Sequence, residues 1–233
     1  MSDLNKWVME GPAVNFICVY KTGGDYDGID YVDRLRGMVH RNLSVDHRFI
    51  CLTDDPDLLK RSSDEADMYF PLIHGWEGWW SLIEIFRFVG PCMMMGLDTV
   101  IVDSLDPLAD FIKTLDNQDF AMIKPFSPGR RNGQWASGIT AWNGDWYWLY
   151  NEFKSAPSEY MQFHKLEQMY TCSQLISKGI KVKEIQSYVT GVKSFKRHCY
   201  RALPKNSRIV LFHGPPRPHE VKNLKWLKER WVA

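Results

Sequence analysis

Short runs of β-forming apolar residues alternate along this chain with stretches of helical apolar spacing, and that alternation constrains the fold more than any other feature. Val14-Asn-Phe-Ile-Cys-Val-Tyr20, bounded by Gly11-Pro12 and Thr22-Gly23-Gly24, reads as a buried strand. Tyr31, Val32, Leu35, Met38, Val39 and Leu43 then recur at the spacing of one helix face, which predicts a helix over 29–43. Arg48 to Leu52 is a second strand, closed by Thr53-Asp54-Asp55-Pro56, and Met68 to Leu72 is a short third. Helices are expected over 79–88, 105–115, 146–154 and 167–177. Strands are expected over 91–102, with a turn inside the run, and over 120–124, 136–143, 181–185 and 208–212. This order gives an α/β domain with a mostly parallel central sheet flanked by helices. In such sheets ligands bind in the crevice at the carboxyl ends of the strands. Tyr20-Lys21, Thr53-Asp54, Asp98 and His213 all fall at strand ends, so polar groups converge where a site is expected.

The 233 residues suit a single domain, and no internal repeat or low-complexity linker divides them. A net charge of +1, from 29 basic and 28 acidic residues, argues against a general nucleic-acid binder. Five cysteines are scattered without a CxxC pair, which fits a reducing compartment. Residues 1–11 are polar and lack a signal-peptide core, and no apolar run reaches the length of a transmembrane helix. A soluble, cytoplasmic protein is therefore expected. Tryptophans and tyrosines cluster at Trp76, Trp79 and Trp80 and at Trp142, Trp146, Tyr147 and Trp148. Most of these read as packing residues; the functional alternative is a stacking platform for a sugar or a base.

Four segments carry candidate chemistry. In Pro91-Cys-Met-Met-Met-Gly-Leu-Asp98-Thr-Val-Ile-Val-Asp103, a carboxylate stands between two apolar runs, where it needs a cationic partner. A hard divalent ion carrying substrate phosphates would supply one, although a turn-capping Asp is the plainer alternative. Phe212-His213-Gly214-Pro215-Pro216-Arg217-Pro218 delivers an imidazole from a strand into a proline-stiffened loop. There Gly214 admits close approach of a ligand and the Arg217 fork suits phosphate. An imidazole beside an Asp favours Mn²⁺ over Mg²⁺. Tyr20-Lys21-Thr22-Gly23-Gly24 is a glycine-rich turn after the first strand, without a GxxxxGK[ST] or GxGxxG pattern. Glu167-Gln168 opens a helix, as a dipole-stabilised surface acid or as an active-site acid–amide pair.

Taken in order, these pieces resemble the GT-A type nucleotide-sugar glycosyltransferases, close to the family 8 group of glycogenin and galactosyltransferase-like enzymes. The resemblance rests on Val19-Tyr20-Lys21-Thr22-Gly23-Gly24, Cys51-Leu-Thr-Asp-Asp55, Trp79-Trp-Ser-Leu-Ile-Glu-Ile-Phe-Arg87 and Leu97-Asp-Thr-Val-Ile-Val102. It continues through Ala136-Ser-Gly-Ile139, Glu167-Gln168, Ser194-Phe-Lys196 and Phe212-His-Gly214 with Arg217-Pro218, and so spans nearly the whole chain. It implies a single Rossmann-like GT-A domain over 1–233, with a nucleotide-binding part over about 13–103 and a sugar and acceptor part over about 104–233. It also implies a nucleotide-diphosphate sugar as donor and a glycan, lipid-linked sugar or protein as acceptor, with anomeric configuration retained. The metal, Mn²⁺ or Mg²⁺, would be held by Asp98 and His213. Tyr20, Lys21, Thr22, Gly23, Thr53 and Asp54 would hold the nucleoside; Lys196 and Arg217, beside Gly214, the diphosphate. Ser137 and Gly138 would line the sugar site, and Glu167 and Gln168 would stand beside the anomeric carbon.

The chain departs from that pattern at four positions. Gly96 replaces the first Asp of the family's Asp-x-Asp metal motif, Leu82 a usual Lys, Ala136 a usual Asn, and His219 a usual Trp. Asp103 is a further acid nearby, but an intervening strand segment separates it from Asp98. The missing carboxylate motivates a second reading, a non-catalytic sugar-nucleotide or glycan-binding protein on the same fold. A nucleotidyltransferase ranks lower, because two-metal chemistry needs more clustered acids than this chain offers. The loop from Pro125 to Gln134, with Arg130 and Arg131, reads as a solvated basic turn or as a surface facing the acceptor.

Overall fold

Alternating side chains on the central strands feed two apolar layers, and this fixes the architecture. In the first long strand Val14, Phe16, Cys18 and Tyr20 enter one core cluster and Ile17 the other. In the next, Phe49 and Cys51 face one side while Ile50 and Leu52 face the opposite side. A sheet buried on both faces is what near-continuous apolar strands require. The computed structural model describes residues 5–9, 11, 13–27, 30–61, 66–126 and 134–233.

The strands are β1 (Trp7–Val8), β2 (Val14–Tyr20), β3 (His47–Thr53), β4 (Asp67–Pro71), β5 (Phe88–Val89) and β6 (Cys92–Met95). They continue with β7 (Thr99–Ile101), β8 (Phe120–Ile123), β9 (Ala136–Trp142), β10 (Val182–Glu184), β11 (Val192–Ser194) and β12 (Ile209–Leu211). The central sheet has seven strands in the order β10-β8-β9-β6-β2-β3-β4. Only β9 runs against its neighbours; the remaining pairs are parallel. The mostly parallel, mixed sheet expected from the sequence is therefore present.

One face is covered by α1 (Tyr31–Asn42) and α3 (Asp106–Lys113), whose buried residues join Phe16 and Met93. The other is covered by α4 (Tyr147–Ser155), α6 (Glu167–Ser177) and a 3₁₀ segment, Gly78–Arg87. Trp142 and Trp146 belong to that second core. The 3₁₀ segment replaces the helix expected over 79–88, and Phe88 already belongs to β5. Glu84 and Arg87 pin it: Glu84 accepts from the amides of Ile73 and His74 at 3.0 Å and from Arg87 Nη1 at 2.7 Å. Arg87 also donates to the carbonyls of Pro71 and Asn5, so this buried ion pair is well supplied with partners.

Two expectations about strand placement are corrected. The 91–102 run does not continue within one sheet: β6 lies in the central sheet and β7 in a separate three-stranded sheet of order β11-β12-β7. The last strand, β12, also belongs to that small sheet, pairing antiparallel with β7 through Leu211 and Thr99. The turn Gly96-Leu97-Asp98 bridges the two sheets, and the amide of Thr99 closes it on the carbonyl of Gly96 at 3.0 Å. Unanticipated elements include the short strands β1, β5 and β11 and the helices α2 (Pro56–Leu59), α5 (Pro157–Phe163) and α7 (Lys225–Arg230). Among the described residues no helix is long and apolar enough to cross a membrane. All five cysteines are buried and free.

Candidate functional site

The junction of the two sheets opens a cavity of about 450 Å³. Asp98, Ser137, Gly138, Glu167, Gln168, His213, Gly214 and Arg217 all line it, together with Gly96. The sequence thus placed eight of its candidates in one chamber although they come from four distant segments. A second cavity of about 240 Å³ lies beside the first and is lined by Lys21, Thr22, Gly23 and Gly24. Asp25, Tyr26, Trp79 and Leu82 line both, so the glycine-rich loop and the main chamber share a wall.

Other candidates shape this loop without lining either cavity. Asp54 accepts from the Thr22 amide at 2.7 Å and meets Lys21 Nζ at 3.5 Å. Thr53 is buried, and its hydroxyl accepts from the Asp55 amide at 3.0 Å. The Tyr20 hydroxyl donates to Asp27 at 3.1 Å, and Asp27 also takes the Gly23 amide at 2.5 Å. Burial, then the Asp27 carboxylate, pushes the Tyr20 phenol up to about 12, so it stays a donor at neutral pH.

The acid–amide pair sits where helix α6 begins. Glu167 is 5% exposed and accepts from Ser137 Oγ at 2.6 Å. Gln168 Oε1 accepts from the Ser137 amide at 3.4 Å, so one residue of β9 orients both side chains. Burial raises the Glu167 pKa, and the Ser137 bond only partly offsets it. A carboxylate kept in the wall of a cavity at such a cost is a site candidate, because desolvation is how proteins tune acids for chemistry.

The opposite wall is built by the loop after β12. His213 adopts a left-handed φ of 41°, followed by Gly214 at 95°. This reversal turns the Gly214 amide toward Asp98 Oδ2 at 3.4 Å. Left-handed backbone at a non-glycine residue marks local strain of the kind held at functional sites. The His213 Nε2 contacts Ser194 Oγ at 2.6 Å, and its ring stacks on Phe126 at 5.9 Å. Lys196 is exposed and donates to the His213 carbonyl at 3.2 Å.

Asp98 does have a cationic partner, and it is a side chain. Arg217, 5% exposed, donates from Nη1 to Asp98 Oδ2 at 2.8 Å and to the Tyr26 hydroxyl at 2.6 Å. Its Nη2 pairs with Asp25, and the guanidinium lies 4.7 Å from the Tyr26 ring centroid and 5.8 Å from that of Trp79. Burial works against the Arg217 charge, but Tyr26, Asp98 and Asp25 outweigh it, so the guanidinium pKa is raised. Asp25 and Tyr26 are residues the sequence reading missed; their signal was an acid and an aromatic directly after a glycine turn at a strand end.

The donor set fits Mn²⁺ or Mg²⁺ poorly. Among the described residues no group of three or more His, Cys, Asp or Glu could hold a metal ion. Asp98 Oδ2 is engaged by Arg217 and Gly214, and His213 Nε2 by Ser194. A divalent ion drawn to Asp98 would also have to sit beside the Arg217 guanidinium, a like charge already hydrogen-bonded to that carboxylate. Asp103 lies beyond β7, exposed, where it accepts from the Ser104 amide at 2.8 Å. Of the aromatic clusters, Trp79 reaches the cavities and is 43% exposed. Arg130 and Arg131 lie outside the described residues.

No family model matches the sequence, and no curated protein matches it. Solved structures do match the fold. The apo-form glycosyltransferase GlyE of Streptococcus pneumoniae TIGR4 superposes with a TM-score of 0.63 at 10% identity, covering 94% of this chain. A second GlyE structure gives 0.60 at 13% identity over 94% of this chain. The apo structure of the bifunctional glycosyltransferase WbbM gives 0.55 at 12% identity, also over 94%. This chain spans 59% of the length of each GlyE chain and 50% of that of WbbM. The fold is one that glycosyltransferases use; family 8 in particular is not singled out by these likenesses.

Proposed function

We propose that this chain transfers a sugar from a nucleotide-diphosphate sugar to an acceptor, with retention of anomeric configuration as in the family 8 enzymes its sequence resembles. One observation carries the reading: on a fold used by glycosyltransferases, a single cavity joins buried Glu167 and its neighbour Gln168 to the Gly214–Arg217 loop. The nucleoside lies in the adjoining cavity under Lys21, Thr22 and Gly23. The sugar rests on Ser137 and Gly138, and the diphosphate lies against Gly214 and meets Arg217 and Lys196.

The physical demands of transfer match these groups. A leaving diphosphate must have its charge neutralised, and preorganised donors do this without reorganisation during reaction. Positive charge develops at the anomeric carbon, and a carboxylate at Glu167 with the Gln168 carbonyl stabilises it. The Ser137 hydroxyl holds Glu167 in one orientation. Glycan, lipid-linked sugar and protein all remain in this reading as acceptor classes.

The reading is tested by following nucleoside-diphosphate release from a panel of nucleotide sugars, with and without candidate acceptors. One donor should be hydrolysed slowly alone and consumed faster with its acceptor. If no donor is bound or turned over, the reading fails. Binding without turnover across the panel would instead establish a non-catalytic sugar-nucleotide-binding protein, an alternative favoured by Gly96 and by the satisfied Asp98–Arg217 pair.

A further inference from the structure

A buried guanidinium stands on Asp98, where the sequence places a divalent ion. We propose that Arg217 is the built-in cation of a metal-independent diphosphate site: it stays on Asp98 through one edge and binds the donor's diphosphate in place of Asp25. This inference rests on the sugar-nucleotide reading of the cavity.

Two features separate the two carboxylates, and a third fixes the cation between them. The Asp98 side chain is 11% exposed, whereas that of Asp25 is 64% exposed. A buried, hydrogen-bonded charge pair is hard to break from one side, whereas a solvated carboxylate exchanges at little cost. Asp98 also receives the Gly214 amide, which ties it to the same loop as Arg217. Finally, the Arg217 backbone is anchored by a bond from its amide to Glu220. Fixed in this way, the guanidinium is a preorganised fork that suits phosphate oxygens.

The surrounding residues favour an anion at that edge. Gly214 has a left-handed φ of 95°, and a Cβ there would lie 3.7 Å from Lys196 Nζ. The loop therefore keeps an exposed ammonium beside Gly214, donating to the carbonyl of His213. Gly96 contributes no second carboxylate to the wall, so the fixed acid facing Arg217 from the turn after β6 is Asp98. A metal-binding wall would need more oxygen donors. A guanidinium-based site is better without them, because each further carboxylate competes with phosphate for the fork.

Calorimetry on the full chain tests this with two probes, inorganic pyrophosphate in EDTA and Mn²⁺ alone. Pyrophosphate should bind in EDTA and raise the Tm, while millimolar Mn²⁺ alone gives no binding heat. Asp25→Asn should tighten pyrophosphate binding several-fold by removing the competing carboxylate, a gain that misfolding cannot produce. Arg217→Lys keeps the charge but loses the fork, and should weaken binding about tenfold. Pyrophosphate binding that appears only with Mn²⁺, micromolar binding of Mn²⁺ alone, or no gain in Asp25→Asn overturns the inference. Metal-free pyrophosphate binding in a chain that turns over no nucleotide sugar would uphold it while removing the transferase reading.

Discussion

Replacing Arg217 by Met keeps most of the aliphatic stem and removes the charge that meets Asp98. The structure sets the size of the effect. Asp98 is 7% exposed, and its Oδ2 accepts from Arg217 at 2.8 Å, so the variant strands a buried carboxylate. Removing one partner of a buried pair costs about 3–5 kcal/mol. The Asp25 contact adds little, because exposed pairs contribute about 0–1 kcal/mol. For a chain of this size each kcal/mol shifts Tm by about 2–4 °C, so Arg217→Met should melt roughly 6–20 °C lower. The double variant Asp98→Asn/Arg217→Met no longer buries an unpaired charge and should recover at least about 1 kcal/mol relative to the sum of the singles. Calorimetric melting of all four proteins closes the cycle. A loss below about 1 kcal/mol in Arg217→Met, or strict additivity in the double, would refute the pairing argument.

Two further outcomes follow from the same wall. Burial raises the Glu167 pKa in the folded chain, so the folded state holds that proton more tightly than the unfolded state. The associated stability is fully present below the unfolded glutamate value of about 4.3 and is lost as pH rises through the folded pKa. Glu167→Gln should therefore melt higher than the parent at pH 7, with the gap closing below about pH 4.3; an equal gap at both values contradicts the burial argument. For Gly96→Asp, a Cβ at position 96 would lie 3.3 Å from Asp98 Oδ1, which crowds a second carboxylate against the first. Its Tm should fall below the parent's in EDTA, and Mn²⁺ should leave the parent's Tm unchanged while Arg217 holds Asp98; a parent that Mn²⁺ stabilises would remove the special role given to Gly96.

The layered fold was legible because its strands are apolar on both faces and its helices carry a clear one-sided spacing, as in Tyr31, Leu35 and Met38. The placement of β12 was not, since Ile209-Val-Leu211 is equally apolar in either sheet and its pairing with Thr99–Ile101 is a long-range choice. The 3₁₀ character of 78–87 depends on Glu84 reaching the amides of Ile73 and His74, which spacing alone does not show. At the site, the strand-end residues Asp98 and His213 and the helix-start pair Glu167–Gln168 were readable because fold class locates such ends. Arg217 was read as a phosphate ligand, but its carboxylate partners were not, since Asp98 lies 119 residues and Asp25 192 residues away in sequence. A sequence reading places groups at a site; the charge pairing among them is decided by loops.

Sugar transfer at this cavity is tested most directly by comparing the parent with Glu167→Gln on whichever nucleotide sugar the parent turns over. The account predicts that the variant remains folded, melts no lower at pH 7, and loses about 10²-fold or more in the rate of nucleoside-diphosphate release. Release at the parental rate by a folded Glu167→Gln variant would contradict it.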